Sequence, residues 1–239
     1  MATRAARGYG QYSGTARALE RIGDRWALLI VRDLLVGPRR YGDLKASLPR
    51  IPTNILSDRL KELQEAGVVR RVPTVRGGYE LTRLGLALEP VVVALERWGW
   101  SELGEPVEGD TVGADALAIS LRAAFRADAA AGLPPTEYVL HVGGVSLSVI
   151  VLGATLDIVP IGPGALPQPR RRSAFEPVPG ALLELALEPD SLRDLLAGDA
   201  ARATVLAGDD ELLERFVLTF RIGPAAPPTE RAPAADAAA

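Results

Sequence analysis

Pro49 and Pro52 stand between two stretches of helical pattern, and no other feature restricts the fold of this chain as much. Each proline drives the residue before it out of the α region, so Leu48-Pro49-Arg50-Ile51-Pro52 has to turn. After the turn, Leu56, Leu60 and Leu63 recur at the helical step, which predicts an amphipathic helix capped by Thr53 and stopped by Gly67. Ahead of it a short helix is expected over Tyr41 to Ser47. Asp24 is placed to cap a longer helix that runs through WALLIVRDLLV to Gly37-Pro38. That segment is apolar around much of its circumference, so it reads as a buried spine. A first helix falls near Thr15 to Ile22.

Beyond Gly67, Val68 to Val72 and Tyr79 to Thr82 read as two strands joined by a Gly77-Gly78 tip, with Pro73 at an edge or bulge. One helix is then expected from Arg83 to Trp100, with Leu84, Leu88, Val91, Val92, Leu95 and Trp98 along one side. With its leucines turned inward, the helix after the proline turn points Asn54, Ser57, Asp58 and Lys61 outward, with Arg50 and Thr53 at its leading end. Side chains of these types can read a groove, the alternative being a solvated amphipathic helix in a small helical domain. Asn pairs with an adenine edge, Ser and Thr bond to bases or phosphates, and Lys suits phosphate or guanine. The order of helix, turn, helix and hairpin is that of a winged helix-turn-helix whose second helix enters the major groove of double-stranded DNA. Arg76 at the wing tip, and Arg39 and Arg40 before the short helix, are expected to face the DNA backbone.

The charge distribution agrees. Residues 1–100 carry 17 Lys/Arg against 10 Asp/Glu, a net +7, whereas residues 101–239 carry 10 against 20, a net −10. A basic half joined to an acidic one suggests that the first meets a polyanion, although chance segregation between two domains gives the same asymmetry. Other chemistries are closed off. There is no cysteine, which excludes disulfides, thiolate metal sites and cysteine nucleophiles. His141 is the only histidine and reads as structural. GYGQYSG spaces its glycines wrongly for a dinucleotide fingerprint, and no phosphate loop or nucleophile elbow is present. No enzyme and no cofactor is expected. The first residues lack the apolar core of a secretory signal, and the longest apolar run, Val142 to Leu156, is shorter than the roughly 20 residues of a membrane helix. A cytoplasmic chain with no membrane partner is expected.

The organisation expected is residues 1–101 as a DNA-binding and dimerisation domain, 102–114 as a Gly- and Pro-containing acidic linker, 115–223 as a second domain and 224–239 as a disordered tail. In the second domain a helix is expected over Asp115 to Ala131, then strands near 137–142, 145–152 and 155–161. A proline-rich loop with Arg170-Arg171-Arg172 leads to a strand near 182–187, a helix near 190–197, a strand near 203–207 and a helix near 209–220.

Through ALERIGDRWALLIVRDLLVGPRRYGDLKASLP, IPTNILSDRLKELQEAGVV and YELTRLGLALEPVVVALERWG, residues 9–100 resemble the HxlR-type winged-helix regulators, which are related to the MarR class. The resemblance implies a homodimer on a palindromic operator, with the terminal helices in the dimer contact. Members of that family often carry a sensing cysteine near the first helix. Ser13 stands in that segment here, so thiol-based sensing is excluded. The segment LEPDSLRDLLAGDARATVLAGDDELLERFVLTF is similar to sterol-carrier-protein-like domains. The fold class expected is therefore α+β, a winged helix-turn-helix domain plus a C-terminal α+β sterol-carrier-like domain. That second resemblance implies an apolar tunnel for a hydrophobic small-molecule effector, with Leu121, Phe125, Val149, Val151, Leu213, Phe216, Val217 and Phe220 as candidate lining. The same residues read first of all as core that touches only itself, and this half could also serve only to enlarge the dimer interface. A second function remains open, that of a lipid or hydrophobic-ligand carrier with an N-terminal interaction module.

Overall fold

The computed structural model describes residues 8–72, 77–104, 107, 110, 112–161 and 181–223. The first half begins with α1 (Gly14–Ile22), α2 (Ala27–Val36), β1 (Arg39–Arg40), α3 (Tyr41–Ser47) and α4 (Thr53–Glu65). It continues with β2 (Val69–Val72), β3 (Gly78–Leu81), α5 (Arg83–Leu86) and α6 (Glu89–Trp100). Leu56, Leu60 and Leu63 of α4 are buried with Ile30, Val31 and Leu34 of α2, so the two periodic faces meet in one core.

Three local expectations are corrected. Thr53 is the first residue of α4 rather than its cap; Pro52 holds the cap position and offers no side-chain bond. The helix expected over Arg83 to Trp100 is two helices. Pro90 lies in the first turn of α6, where its missing N–H costs nothing, so a new helix starts there. Arg39 and Arg40 form a two-residue strand that pairs antiparallel with β3, making a small sheet of order β1-β3-β2. Gly67 does end α4, with φ +73°, and the Val68 N–H reaches back to Leu63 O at 2.9 Å. This left-handed close is the one that glycine adopts without strain.

The second half comprises α7 (Ala114–Ala124), α8 (Ala127–Ala130), β4 (Thr136–Val142), β5 (Val145–Leu152) and β6 (Thr155–Ile161). β7 (Leu182–Leu187), α9 (Pro189–Ala197), β8 (Thr204–Ala207) and α10 (Asp210–Thr219) follow. The strands form one sheet of order β6-β5-β4-β7-β8, antiparallel except for the parallel β4–β7 pair. Alternation puts Tyr138, Leu140, Leu147, Val149, Leu183 and Leu185 on its inner face, where Leu121 of α7, Phe216 of α10 and Phe220 just after α10 join the same core. The helix expected from Asp115 to Ala131 breaks after Ala124. Phe125 is extended there, bridging to Phe220 and separating α7 from α8.

α7 belongs to both halves. Leu117, Ala118, Leu121, Ala123 and Ala124 sit in the core of the second half, and Ile119 sits in that of the first. Among the described residues no helix is long and apolar enough to cross a membrane.

Candidate nucleic-acid interface

α3 and α4 are fixed to each other at their leading ends. The Tyr41 hydroxyl donates to Thr53 O at 2.7 Å, and the Ser57 hydroxyl lies 3.1 Å from the same oxygen and 3.3 Å from the Tyr41 hydroxyl. Across the turn, Lys45 Nζ donates to Pro49 O at 2.9 Å, and buried Ile51 anchors the turn from beneath. The outer face of α4 is left open by this arrangement. Thr53, Asn54, Ser57, Asp58 and Lys61 are exposed, as is Arg50 in the turn. The side chains of Arg50, Asn54 and Lys61 have no hydrogen-bond or ion-pair partner among the described residues, whereas Ser57 is already engaged with its own helix. Arg59, on the flank, is occupied by Glu62 at 2.5 Å and Asp24 at 3.5 Å.

Beside α4, the wing presents two cations that sequence reasoning passed over as strand residues. Arg70 is exposed and pairs with Glu80 at 2.6 Å. Arg71 donates to the Tyr79 hydroxyl at 3.0 Å, with its guanidinium 5.1 Å from the centre of the Tyr79 ring. Alternation from buried Val69 marks Arg70 as outward; Arg71, two residues from Val69, is exposed as well, against Tyr79, and alternation does not show it. Arg76 lies outside the described residues. Arg40 is exposed at the start of α3, where its backbone N–H bonds to Asp43 Oδ2 at 2.8 Å.

Arg39 is a correction. It does not face phosphates; it is 1% exposed. Its Nε donates to Asp115 Oδ2 at 2.9 Å, Nη2 to Asp115 Oδ1 at 2.5 Å, and Nη1 to Pro38 O at 3.0 Å. A buried guanidinium needs a carboxylate, and α7 supplies one from 76 residues away. Asp33 of α2 is fully buried nearby, bonded by Ser47 Oγ and paired with Arg32 at 2.7 Å. Burial pushes its carboxyl above the usual carboxylate range; Arg32 and Ser47 oppose that rise, and Asp115 adds to it.

In the second half, the eight residues named as tunnel lining pack on one another. Leu121, Val149, Val151, Phe216 and Phe220 are buried, with Phe125, Leu213 and Val217 packed against them. Phe216 stacks on Phe220 at 4.8 Å, and Phe125 tilts against Phe220 at 5.7 Å. His141 turns out to have acidic company that its sequence neighbours do not show. It bridges three strands, with Nδ1 2.8 Å from Ser146 Oγ and Nε2 2.7 Å from Glu184 Oε1. Arg170, Arg171 and Arg172 lie outside the described residues, as does the tail from 224 onward.

Comparison with known proteins bears on the first half. Residues 21–106 match the sequence profile of a family described as HxlR-like helix-turn-helix. An uncharacterized HTH-type transcriptional regulator of Mycobacterium bovis is 44% identical over 94 residues, which are 38% of this chain and 59% of that one. The chain thus spans less than two thirds of that relative's length. YvaP of Bacillus subtilis, also described as an HTH-type transcriptional regulator, is 41% identical over 86 residues, 34% of this chain and 80% of that one. The crystal structure of quinone-bound YodB from B. subtilis aligns with 37% of this chain and 97% of its own, at 32% identity and a TM-score of 0.34.

Proposed function

This chain belongs to the HxlR-like helix-turn-helix family, and from that premise we propose that it is a cytoplasmic, non-enzymatic transcription regulator that reads double-stranded DNA as a homodimer on a palindromic operator. The observation that carries the reading is the outer face of α4. Asn54 and Lys61 on α4, and Arg50 in the turn before it, stand exposed and unpartnered among the described residues, beside the cationic wing residues Arg70 and Arg71. Asn54 is the base-reading candidate, and Arg40, Arg50, Thr53, Lys61 and Arg76 are the phosphate-facing ones.

Support for the homodimer comes from α5 and α6. Leu84, Val91, Leu95 and Trp98 are exposed there, a stripe of large apolar side chains that water does not favour. On a palindromic operator the two copies of α4 would read half-sites about 34 Å apart, one helical turn of DNA. The second half reads as sterol-carrier-like, supported by a five-stranded sheet with helices over its inner face. An apolar effector would have to open the Phe216–Phe220 stack to enter it. A thiol cannot be the sensor, because the chain has no cysteine.

The test is a mobility shift of genomic fragments at two salt concentrations. With roughly 6–10 phosphate contacts, affinity should fall by about 10³–10⁵ between 50 and 200 mM salt. No shift at low salt, or a shift indifferent to salt, would end the proposal.

A further inference from the structure

α7 is held to the DNA-reading half by four polar contacts as well as by Ile119. Ser120 Oγ donates to Glu96 at 2.6 Å, Arg122 to Glu89 at 2.7 Å, and Arg97 Nε to Ala123 O at 2.7 Å. The fourth, Arg39 with Asp115, differs in kind. The other three tie α7 to the flank of α6. This one reaches the point where the wing and the helix-turn-helix meet. Arg39 is in β1, whose partner is β3, the central strand of the wing, with Arg39 opposite Tyr79. The next residues, Arg40 and Tyr41, open α3, and Tyr41 in turn holds the first residue of α4. A single carboxylate from the second half therefore fixes β1, and through β1 both parts of the DNA-reading surface.

We infer that Asp115 is a positioning residue for DNA recognition: acting through Arg39, it sets the wing and α3–α4 in their mutual orientation, so that the second half is part of the reading frame. This rests on the DNA-reading function proposed above. The physical reason is the fork geometry. The guanidinium is buried with Nε, Nη1 and Nη2 all bonded, two of them to one carboxylate. Neutralising Asp115 leaves an unpaired buried cation. The nearest buried acid, Asp33, is already taken by Arg32 and Ser47. The unpaired Arg39 must draw β1 toward water or admit water beneath it, and either moves the wing against α4.

The experiment uses the full chain with Asp115→Asn, a fluorescent duplex of the genomic fragment that the wild type shifts at the lowest protein concentration (the operator duplex) and an unrelated duplex of equal length, together with amide hydrogen exchange in the absence of DNA. Operator affinity should drop by about tenfold or more while unrelated-duplex affinity changes by less than about threefold. Non-specific binding asks only for charge, so misplacement of the reading surface lowers the ratio, whereas loss of folded protein lowers both affinities alike. Exchange at residues 39–40 and 78–79 should speed up. Ser120→Ala, which removes the bond to α6 but leaves the Arg39–Asp115 pair intact, should leave both affinities within about twofold. If Asp115→Asn does not fold, Arg39→Met combined with Asp115→Leu leaves no cation unpaired and should fold, and it should still lose discrimination because an apolar pair lacks the two directed bonds that orient β1. A folded variant with unchanged discrimination and exchange, or one in which both duplexes weaken equally, overturns this role alone. Wild-type protein that binds no duplex overturns the DNA reading, and this role with it.

Discussion

Arg39 and Arg40 look alike in the sequence, and the structure sends them opposite ways. Successive residues of a strand face opposite sides, so one arginine of the pair goes in and the other out. The sequence does not show which, because the deciding carboxylate is Asp115, far along the chain. The outward face of α4 was legible because its inward leucines fix the helical phase. That phase makes Asn54 and Lys61 separable by experiment. Asn54→Ala should relax preference at one base position by about 1–3 kcal/mol. Lys61→Ala should weaken all sequences alike and reduce the salt slope by about 1. Selection from a randomised duplex pool, followed by salt titration, reads both; an unaltered preference in Asn54→Ala would remove it from the base-reading role. Asp33 gives a pH test. Its folded pKa is raised, so the native state holds the proton more tightly than the unfolded chain does. This contribution is therefore full below the unfolded value of 3.8 and is lost as pH rises through the folded value. Asp33→Asn, which mimics the protonated form, should gain thermal stability relative to wild type as pH rises from 3 to 7. A constant difference over that range would contradict the assignment.

Among the elements, α2 and α4 and the strands β4, β5 and β6 were readable because each carries its own period and its own stop signal. The misread elements are ones in which a tertiary partner or a single residue interrupts a continuing pattern. Leu84 to Trp98 keeps helical spacing across Pro90, so the spacing alone shows one helix where there are two. Asp115 to Ala131 breaks at Phe125 because that ring turns aside to meet Phe220, a contact made across 95 residues. β1 is two residues long and exists only by pairing with β3. The seam between α5 and the wing offers a sharp test. A Cβ at Gly85 would lie 2.3 Å from Val68 O and 3.0 Å from the Leu81 side chain. The obstacle is backbone, so the helix itself has to move. Gly85→Ala should destabilise by about 1–3 kcal/mol, seen as a lower denaturant midpoint with an unchanged slope. Gly67→Ala meets no atom but must hold φ +73°, and should cost about 1–2 kcal/mol through the backbone alone. If Gly85→Ala proved the milder of the two, the close approach of α5 to β2 would be wrong.

Across the whole molecule, the division into a basic and an acidic half was visible in charge, while the join between them was not. α7 carries large or small apolar residues on nearly every face, and such a helix gives no sign that it serves two cores. One consequence is that α6 has its inner side covered by α2 and α7, through Val92, Glu96 and Arg97, and its outer side bare. Val91 and Leu95 are each 48% exposed and Trp98 is 64% exposed, at spacings of four and three residues that keep them on one side of the helix. Fully burying a side chain of this kind is worth about 1.5–3 kcal/mol; roughly half of each is already buried, so twofold burial of both stripes adds about 4–9 kcal/mol, the same order as the entropy of association. A carboxylate placed among them would be desolvated beside its own symmetry mate, where like charges repel. If the proposed dimer forms through this stripe, Leu95→Glu should be a folded monomer by light scattering at concentrations where the wild type sediments and scatters as two copies. The monomer has one α4 and reads one half-site. Its affinity for a palindrome should fall to that for an isolated half-site, and its salt slope should fall to about half, because half the phosphate contacts are gone. If Leu95→Glu remained dimeric, the contact would lie elsewhere. If the variant were monomeric but bound the palindrome with an undiminished slope, the two copies of α4 would not be acting on one duplex.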